Sequence, residues 1–165
     1  MALPPSPPPR AEVDDAVKLW LILDRAHGAL QEVAARDVAR NQLTLGEYGV
    51  LEALYHKGPM FLGELQRKLN VSSGGITYLM DRLEKHGYAE RRLCSEDRRA
   101  RYGVLTESGE ALVRDSFPGL SQRIREATSA LSEEQIHALT DLLRQLGHHA
   151  AEIANAEGQE VLARG

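Results

Sequence analysis

The sequence predicts a mainly α fold with a single small β-hairpin, and three observations carry that expectation. Apolar residues recur at helical spacing through most of the chain. Helix-capping signals stand at Thr44, Ser72, Thr106 and Ser132. Stretches suited to strands occur only at 88–93 and 99–105, with Ser95, Glu96 and Asp97 as the turn between them.

Residues 11–40 carry Val13, Val17, Trp20, Leu23, Leu30, Val33 and Val38 at the spacing of a long amphipathic helix, with Gly28 its one weak point. Thr44 and Glu47 spell a capping box for a helix running to about His56. Its inner side takes Tyr48 or Val50, Leu51, Leu54 and Tyr55, and Gly58-Pro59 stops it. A short helix follows, with Leu62, Leu65 and Leu69 as its core stripe. Asn70 suits a left-handed close, and Ser72 caps the next helix. Two helices joined so tightly make a helix-turn-helix. In the second of them Ile76, Leu79, Met80 and Leu83 face inward, which turns Ser73, Gly74, Thr77, Tyr78 and Asp81 outward; Gly87 ends it. After the hairpin, Thr106 caps a helix with Leu112, Val113, Leu120 and Ile124 inside and Pro118 as an expected kink. Ser132 and Gln135 form another capping box. The last helix repeats Ile136, Leu139, Leu143, Leu146, Ala150 and Ile153 at near-heptad spacing and is expected to fray after Asn155.

At 165 residues, with 42% apolar and 27% charged residues, the chain has the balance of a soluble globular protein with one sizeable core. No apolar run approaches the roughly 20 residues needed to span a bilayer. The proline-rich start, MALPPSPPPR, lacks the apolar core of a secretory signal and reads as an extended, disordered arm. Cys94 is the single cysteine, which excludes an internal disulfide and fits a reducing cytoplasm. The net charge of −4 is unevenly spread: residues 64–101 hold nine basic and six acidic side chains, a local +3 inside an otherwise acidic chain. Much of that positive charge is arginine in the hairpin. A helix beside a basic hairpin is suited to two adjacent grooves of duplex DNA.

Two motifs are more specific. The run SSGGITYLMDRLEKHGY at 72–88 and the run EDRRARYGVLTESG at 96–109 resemble the MarR family of winged-helix regulators. Family positions match at Thr77, Asp81-Arg82-Leu83-Glu84, Gly87, Asp97 with Arg99, and Leu105-Thr106 with Gly109. The resemblance covers about 11–155. It implies a mainly α winged helix-turn-helix with a two-stranded β-wing and long N- and C-terminal dimerisation helices. The expected organisation is a disordered arm at 1–10, an N-terminal dimerisation helix at 11–43, a DNA-binding region at 44–106, C-terminal dimerisation helices at 107–155 and a frayed tail at 156–165. It further implies a homodimeric transcriptional regulator, a ligand- or stress-responsive repressor on a palindromic operator. A winged-helix interaction module without DNA binding is the alternative.

The expected DNA contacts are Ser72, Ser73, Gly74, Thr77, Tyr78 and Arg82 on the recognition helix and Arg98, Arg99 and Arg101 on the wing. Many family members carry arginine where this chain has Tyr78. A phenol can meet a base edge or a thymine methyl, but it cannot make a bidentate guanine contact. Arg82 either grips a phosphate or braces the wing, and Asp97 can hold Arg99 to shape the turn. The Gly74-Gly75 pair either lets the helix start approach the DNA backbone or reflects tight packing. By resemblance, a small aromatic or phenolic effector sits between the dimer helices and the DNA-binding lobe. Trp20, His27, Tyr48 and Tyr55 are candidates to line it, with a place in the core as the plainer account of each. Cys94 lies near Arg91 and Arg92, where positive charge favours a thiolate, so it is a redox candidate; a lone cysteine is more often simply buried. His148, His149 and Glu152 lack a third matching ligand, and a solvated helix end accounts for them better than a metal. No phosphate loop, nucleophile elbow or paired acid and base suggests an enzyme or a cofactor.

Overall fold

The computed structural model describes residues 14–93 and 101–163, the last seven as backbone only. They fall into two compact units that divide after Ile124.

In the first unit, helix α1 spans Asp15–Val38, and Asp14 caps it by accepting from the Ala16 amide at 2.7 Å. A 3-10 turn over Ala39–Asn41 ends at Gln42 in the left-handed region. Helix α2, Leu45–Lys57, starts at the expected capping box, in which the Thr44 hydroxyl accepts from the Glu47 amide while the Glu47 carboxylate accepts from the Thr44 amide at 2.7 Å. Gly58, at φ +76, ends it. Strand β1, Met60–Phe61, leads into α3, Leu62–Lys68. Asn70 takes the left-handed turn at φ +51, and α4 runs Ser73–His86. Strands β2, Ala89–Leu93, and β3, Arg101–Leu105, pair antiparallel from Ala89 opposite Leu105 to Leu93 opposite Arg101. Helix α5 spans Glu107–Ala127 and contains Pro118.

Helix α2 is the centre of this unit. Glu47, Tyr48, Val50, Leu51, Ala53 and Leu54 are all buried, so it is enclosed on nearly every side, as a helix without an amphipathic stripe must be. Tyr48 and Val50 are both inside, while Tyr55 is only half-buried. Leu65 of α3, Ile76, Met80 and Leu83 of α4 and Val113 of α5 close the core around it.

The sheet departs from expectation by one strand. β1 pairs with the outer edge of β3, Met60 opposite Gly103 and Phe61 opposite Tyr102, giving the order β1-β3-β2. A two-residue strand carries no readable alternation, so the sequence pattern could show only the hairpin. Phe61 stacks on Tyr102 with ring centroids 4.1 Å apart, which favours the pairing. Gly103 lies against the helices, where a Cβ would meet Leu65 at 3.1 Å.

The hinge between α4, the sheet and α5 is tightly bonded. The Thr106 and Ser108 hydroxyls both donate to the Gly87 carbonyl, at 2.6 and 2.7 Å, and the Thr106 amide donates to the Tyr88 carbonyl at 3.1 Å. The Thr106 hydroxyl also accepts from the Gly109 amide at 3.1 Å, so one side chain caps α5 and ties it to the turn after α4.

In the second unit, Ser132 and Gln135 form the expected reciprocal cap at 2.9 and 3.2 Å, and α6 runs Glu133–Ala163. The helical backbone continues past Asn155 to Ala163. Residues 156–163 contain Ala156, Glu157, Gln159, Glu160, Leu162 and Ala163, all strong helix formers, against the single break at Gly158.

Candidate nucleic-acid interface

Helix α4 presents a capped N-terminus and one polar face. Ser72 accepts from the Gly75 amide at 3.0 Å, and Ile76, Leu79, Met80 and Leu83 anchor the inner side. Ser72, Ser73, Gly74, Thr77, Tyr78 and Asp81 are exposed, as their spacing predicts. Tyr78 is the one large apolar side chain exposed on this helix, at 60%. The two glycines separate in role. A Cβ at Gly75 would press on Ser72 and Val71 at 3.2 and 3.3 Å, whereas Gly74 has open space, its nearest neighbour 4.0 Å away. Gly75 is therefore a packing glycine, and Gly74 leaves the helix start accessible.

The charged residues of the Asp81-Arg82-Leu83-Glu84 segment all form ion pairs with other elements. Arg82 donates through Nε to Glu47 Oε1 at 2.7 Å, and Glu47 is only 1% exposed. Glu47 thus serves the Thr44 cap with one oxygen and Arg82 with the other. Burial pushes the Glu47 carboxyl up, but the bonds from Arg82 and Thr44 outweigh it and hold the pKa below its ordinary value. The Arg82 pKa is raised, first by its hydrogen bond to Glu47 and then by the Glu47 charge. Of the two roles expected for Arg82, neither describes its Nε, which braces α4 against α2.

Arg91 on β2 is the wing's tie to α4. It pairs with Asp81 at 2.7 Å and with Glu84, and donates to the Thr77 carbonyl at 2.8 Å; its amide donates to Glu84 at 2.7 Å. Glu47, Asp81, Glu84 and Arg91 were missing from the expected site. The strand alternation held one usable signal, since Arg91 shares a face with buried Ala89.

Arg101 is exposed on β3, opposite Leu93. Arg98, Arg99 and Cys94 lie outside the described residues. The four aromatic and histidine candidates for an effector pocket do not converge. Trp20, 65% exposed, and His27, also exposed, stand on α1, Tyr48 is in the core, and Tyr55 borders an open cleft of about 500 Å³ with Leu54, Pro59, Val104, Leu105 and Glu110. Burial pushes the Tyr48 phenol pKa up. Its hydroxyl lies near Ser116, but that hydroxyl donates to the Leu112 carbonyl at 2.7 Å and no bond of good geometry reaches Tyr48. Tyr48→Phe should therefore melt at or above the wild-type temperature, because it removes an unsatisfied buried group. A fall of several degrees would show that the hydroxyl has a partner. Among the described residues no group of three His, Cys, Asp or Glu side chains is placed to hold a metal, and no helix is long and apolar enough to cross a membrane.

A capped, exposed helix held by its partner helices and tied by an ion-pair cluster to a β-wing defines a DNA-binding transcriptional regulator of the winged helix-turn-helix class. The model of the MarR family matches residues 43–100. The HTH-type transcriptional regulator MhqR of Bacillus subtilis is 34% identical over 142 residues, covering 86% of this chain and 98% of that protein. Among solved structures, Sco3205 is a MarR family transcriptional regulator from Streptomyces coelicolor, determined in complex with DNA. It superposes with a TM-score of 0.76 at 24% identity, over 86% of this chain and 91% of its own. BpsR of Bordetella bronchiseptica, whose DNA binding is regulated by 6-hydroxynicotinic acid, superposes with a TM-score of 0.73 at 22% identity, over 79% and 98%. The chain belongs to the MarR family, whose members are transcriptional regulators rather than enzymes.

Proposed function

We propose that the protein is a cytoplasmic, homodimeric repressor that binds a palindromic operator and is released by a small aromatic or phenolic effector. The observation that carries the DNA part is the exposed, Ser72-capped face of α4. Two such helices enter successive major grooves, with the Ser72 end against a phosphate and Ser73, Thr77 and Tyr78 toward base edges. Arg98, Arg99 and Arg101 on the wing suit the flanking minor groove, whose negative potential draws guanidinium groups.

Dimerisation is supported by apolar surface within each unit. Val17, Leu19, Trp20 and Ile22 are exposed on α1, and Leu139, Leu142, Leu143, Leu146 and Ile153 are exposed on α6. Rows of this size ordinarily mark an interface. A twofold pair matches a twofold site, and engaging both half-sites at once multiplies affinity. An effector that changes the spacing of the two readers then weakens binding without touching DNA. The regulation of BpsR by 6-hydroxynicotinic acid supports an aromatic effector.

Fluorescence anisotropy on the DNA upstream of the protein's own gene, over a salt series with shuffled competitor, tests this reading. The expected result is specific, salt-steep binding at one dimer per site, with weaker binding in Arg98→Ala and Arg99→Ala. Equal affinity for the shuffled duplex would sink the sequence-specific reading. A monomer by light scattering would sink the dimer.

A further inference from the structure

The outward face of α4 is poor in the side chains that ordinarily read bases. Bidentate recognition of guanine uses arginine or lysine, and that of adenine uses asparagine or glutamine. Asparagine and glutamine do not occur in α4. Arg82 has its Nε on Glu47, and Asp81 and Glu84 hold Arg91. Lys85 stands in the last turn, away from the N-terminal residues that a recognition helix brings to the base edges. In that N-terminal half, Gly74 has no side chain, and Thr77 donates its hydroxyl proton back to the Ser73 carbonyl at 3.0 Å. Ser73 has one short hydroxyl, which accepts or donates to any base pair. The remaining long side chain is Tyr78, 60% exposed, with Arg82 one turn behind it.

We propose that Tyr78 is the specificity-determining residue of the interface, and that its ring reads thymine through the 5-methyl group. This rests on the regulator reading above. The methyl is the one apolar group on the floor of the major groove, so a ring packed on it distinguishes thymine from cytosine and from both purines. The pairs of Arg82 with Glu47 and of Arg91 with Asp81 and Glu84 serve this end by holding α4 against α2 and β2, which fixes the angle at which Tyr78 leaves the helix. Each half-site should then carry one thymine whose methyl matters, while the remaining discrimination comes from groove shape read by the wing.

The test uses the full-length protein and a duplex selected by it from a random pool. Each thymine of that duplex is replaced in turn by deoxyuridine, which deletes the methyl and leaves every hydrogen-bonding group. We expect one symmetry-related position at which affinity falls about fourfold, the worth of one buried methyl. Tyr78→Ala should weaken binding to the parent duplex and show no difference between thymine and deoxyuridine there. Tyr78→Phe should keep the difference, because the ring and not the hydroxyl makes the contact. Both variants should melt with the wild type, since the side chain is exposed. Wild-type indifference to every replacement would overturn the proposal. So would full methyl dependence in Tyr78→Ala, which would assign the contact to the Thr77 methyl. Selection that enriches no duplex would overturn the regulator reading itself, and this proposal with it.

Discussion

Gly109→Ala is expected to lower the melting temperature by about 10 °C, corresponding to a loss of about 3 kcal/mol or more in a protein of this size. Gly109 is buried in the first turn of α5, and a Cβ built there falls 1.9 Å from the Tyr88 carbonyl oxygen and 2.8 Å from its carbon. Neither group can yield cheaply. The Tyr88 carbonyl accepts the Thr106 amide, and the neighbouring Gly87 carbonyl accepts the Thr106 and Ser108 hydroxyls. Moving α5 outward by the distance a methyl needs would break the bonds that join it to the turn after α4. Gly28→Ala is the control, because nothing lies within 4 Å of its Cβ and alanine favours a helix by roughly 1 kcal/mol over glycine. Its melting temperature should hold or rise. Thermal melts followed by circular dichroism read both; a Gly109→Ala protein melting within about 2 °C of wild type would refute the close-contact argument.

Glu47→Gln is expected to destabilise the protein by about 1–3 kcal/mol and to weaken DNA binding as well. The carboxylate is buried and accepts three hydrogen bonds, two from Thr44 and one from Arg82, so it closes α2 and holds α4 in one stroke. The amide keeps the shape but loses the charge that Arg82 faces. The effect has a pH signature. Because the pKa of Glu47 is lowered in the folded protein, its stabilisation is complete above the unfolded value of about 4.3 and is lost as pH falls through the lower folded value. Denaturation of the two proteins should therefore differ by a constant amount from pH 7 to about pH 5, and the gap should close below about pH 4. A gap that stays constant to pH 3 would mean that the carboxylate charge contributes nothing.

The helices were legible because their signals are local. Thr44 with Glu47 and Ser132 with Gln135 are capping boxes whether or not anything packs on them. Asn70 and Gly87 are among the few residues that accept the left-handed turn their positions require. The inward stripe of α4 follows from its spacing, and with it the outward set from Ser73 to Tyr78. Strand β1 was not legible, since two residues have no period and only β3 beside them makes a strand of them. The roles of Arg82 and Arg91 are not legible in the basic segment that holds them. The partners that decide their roles lie 35 and 7–10 positions away in sequence, on α2 and α4.

The sequence by itself determined where α2, α4, α5 and α6 begin, which face of α4 is open, and the family motifs around it, because capping, periodicity and turn chemistry act within a few residues. Only the tertiary structure decided which charges remain available on that face. An arginine's role depends on whether a carboxylate from another element comes within bonding distance, and here Glu47, Asp81 and Glu84 do, leaving Tyr78 as the one large apolar side chain exposed on that face.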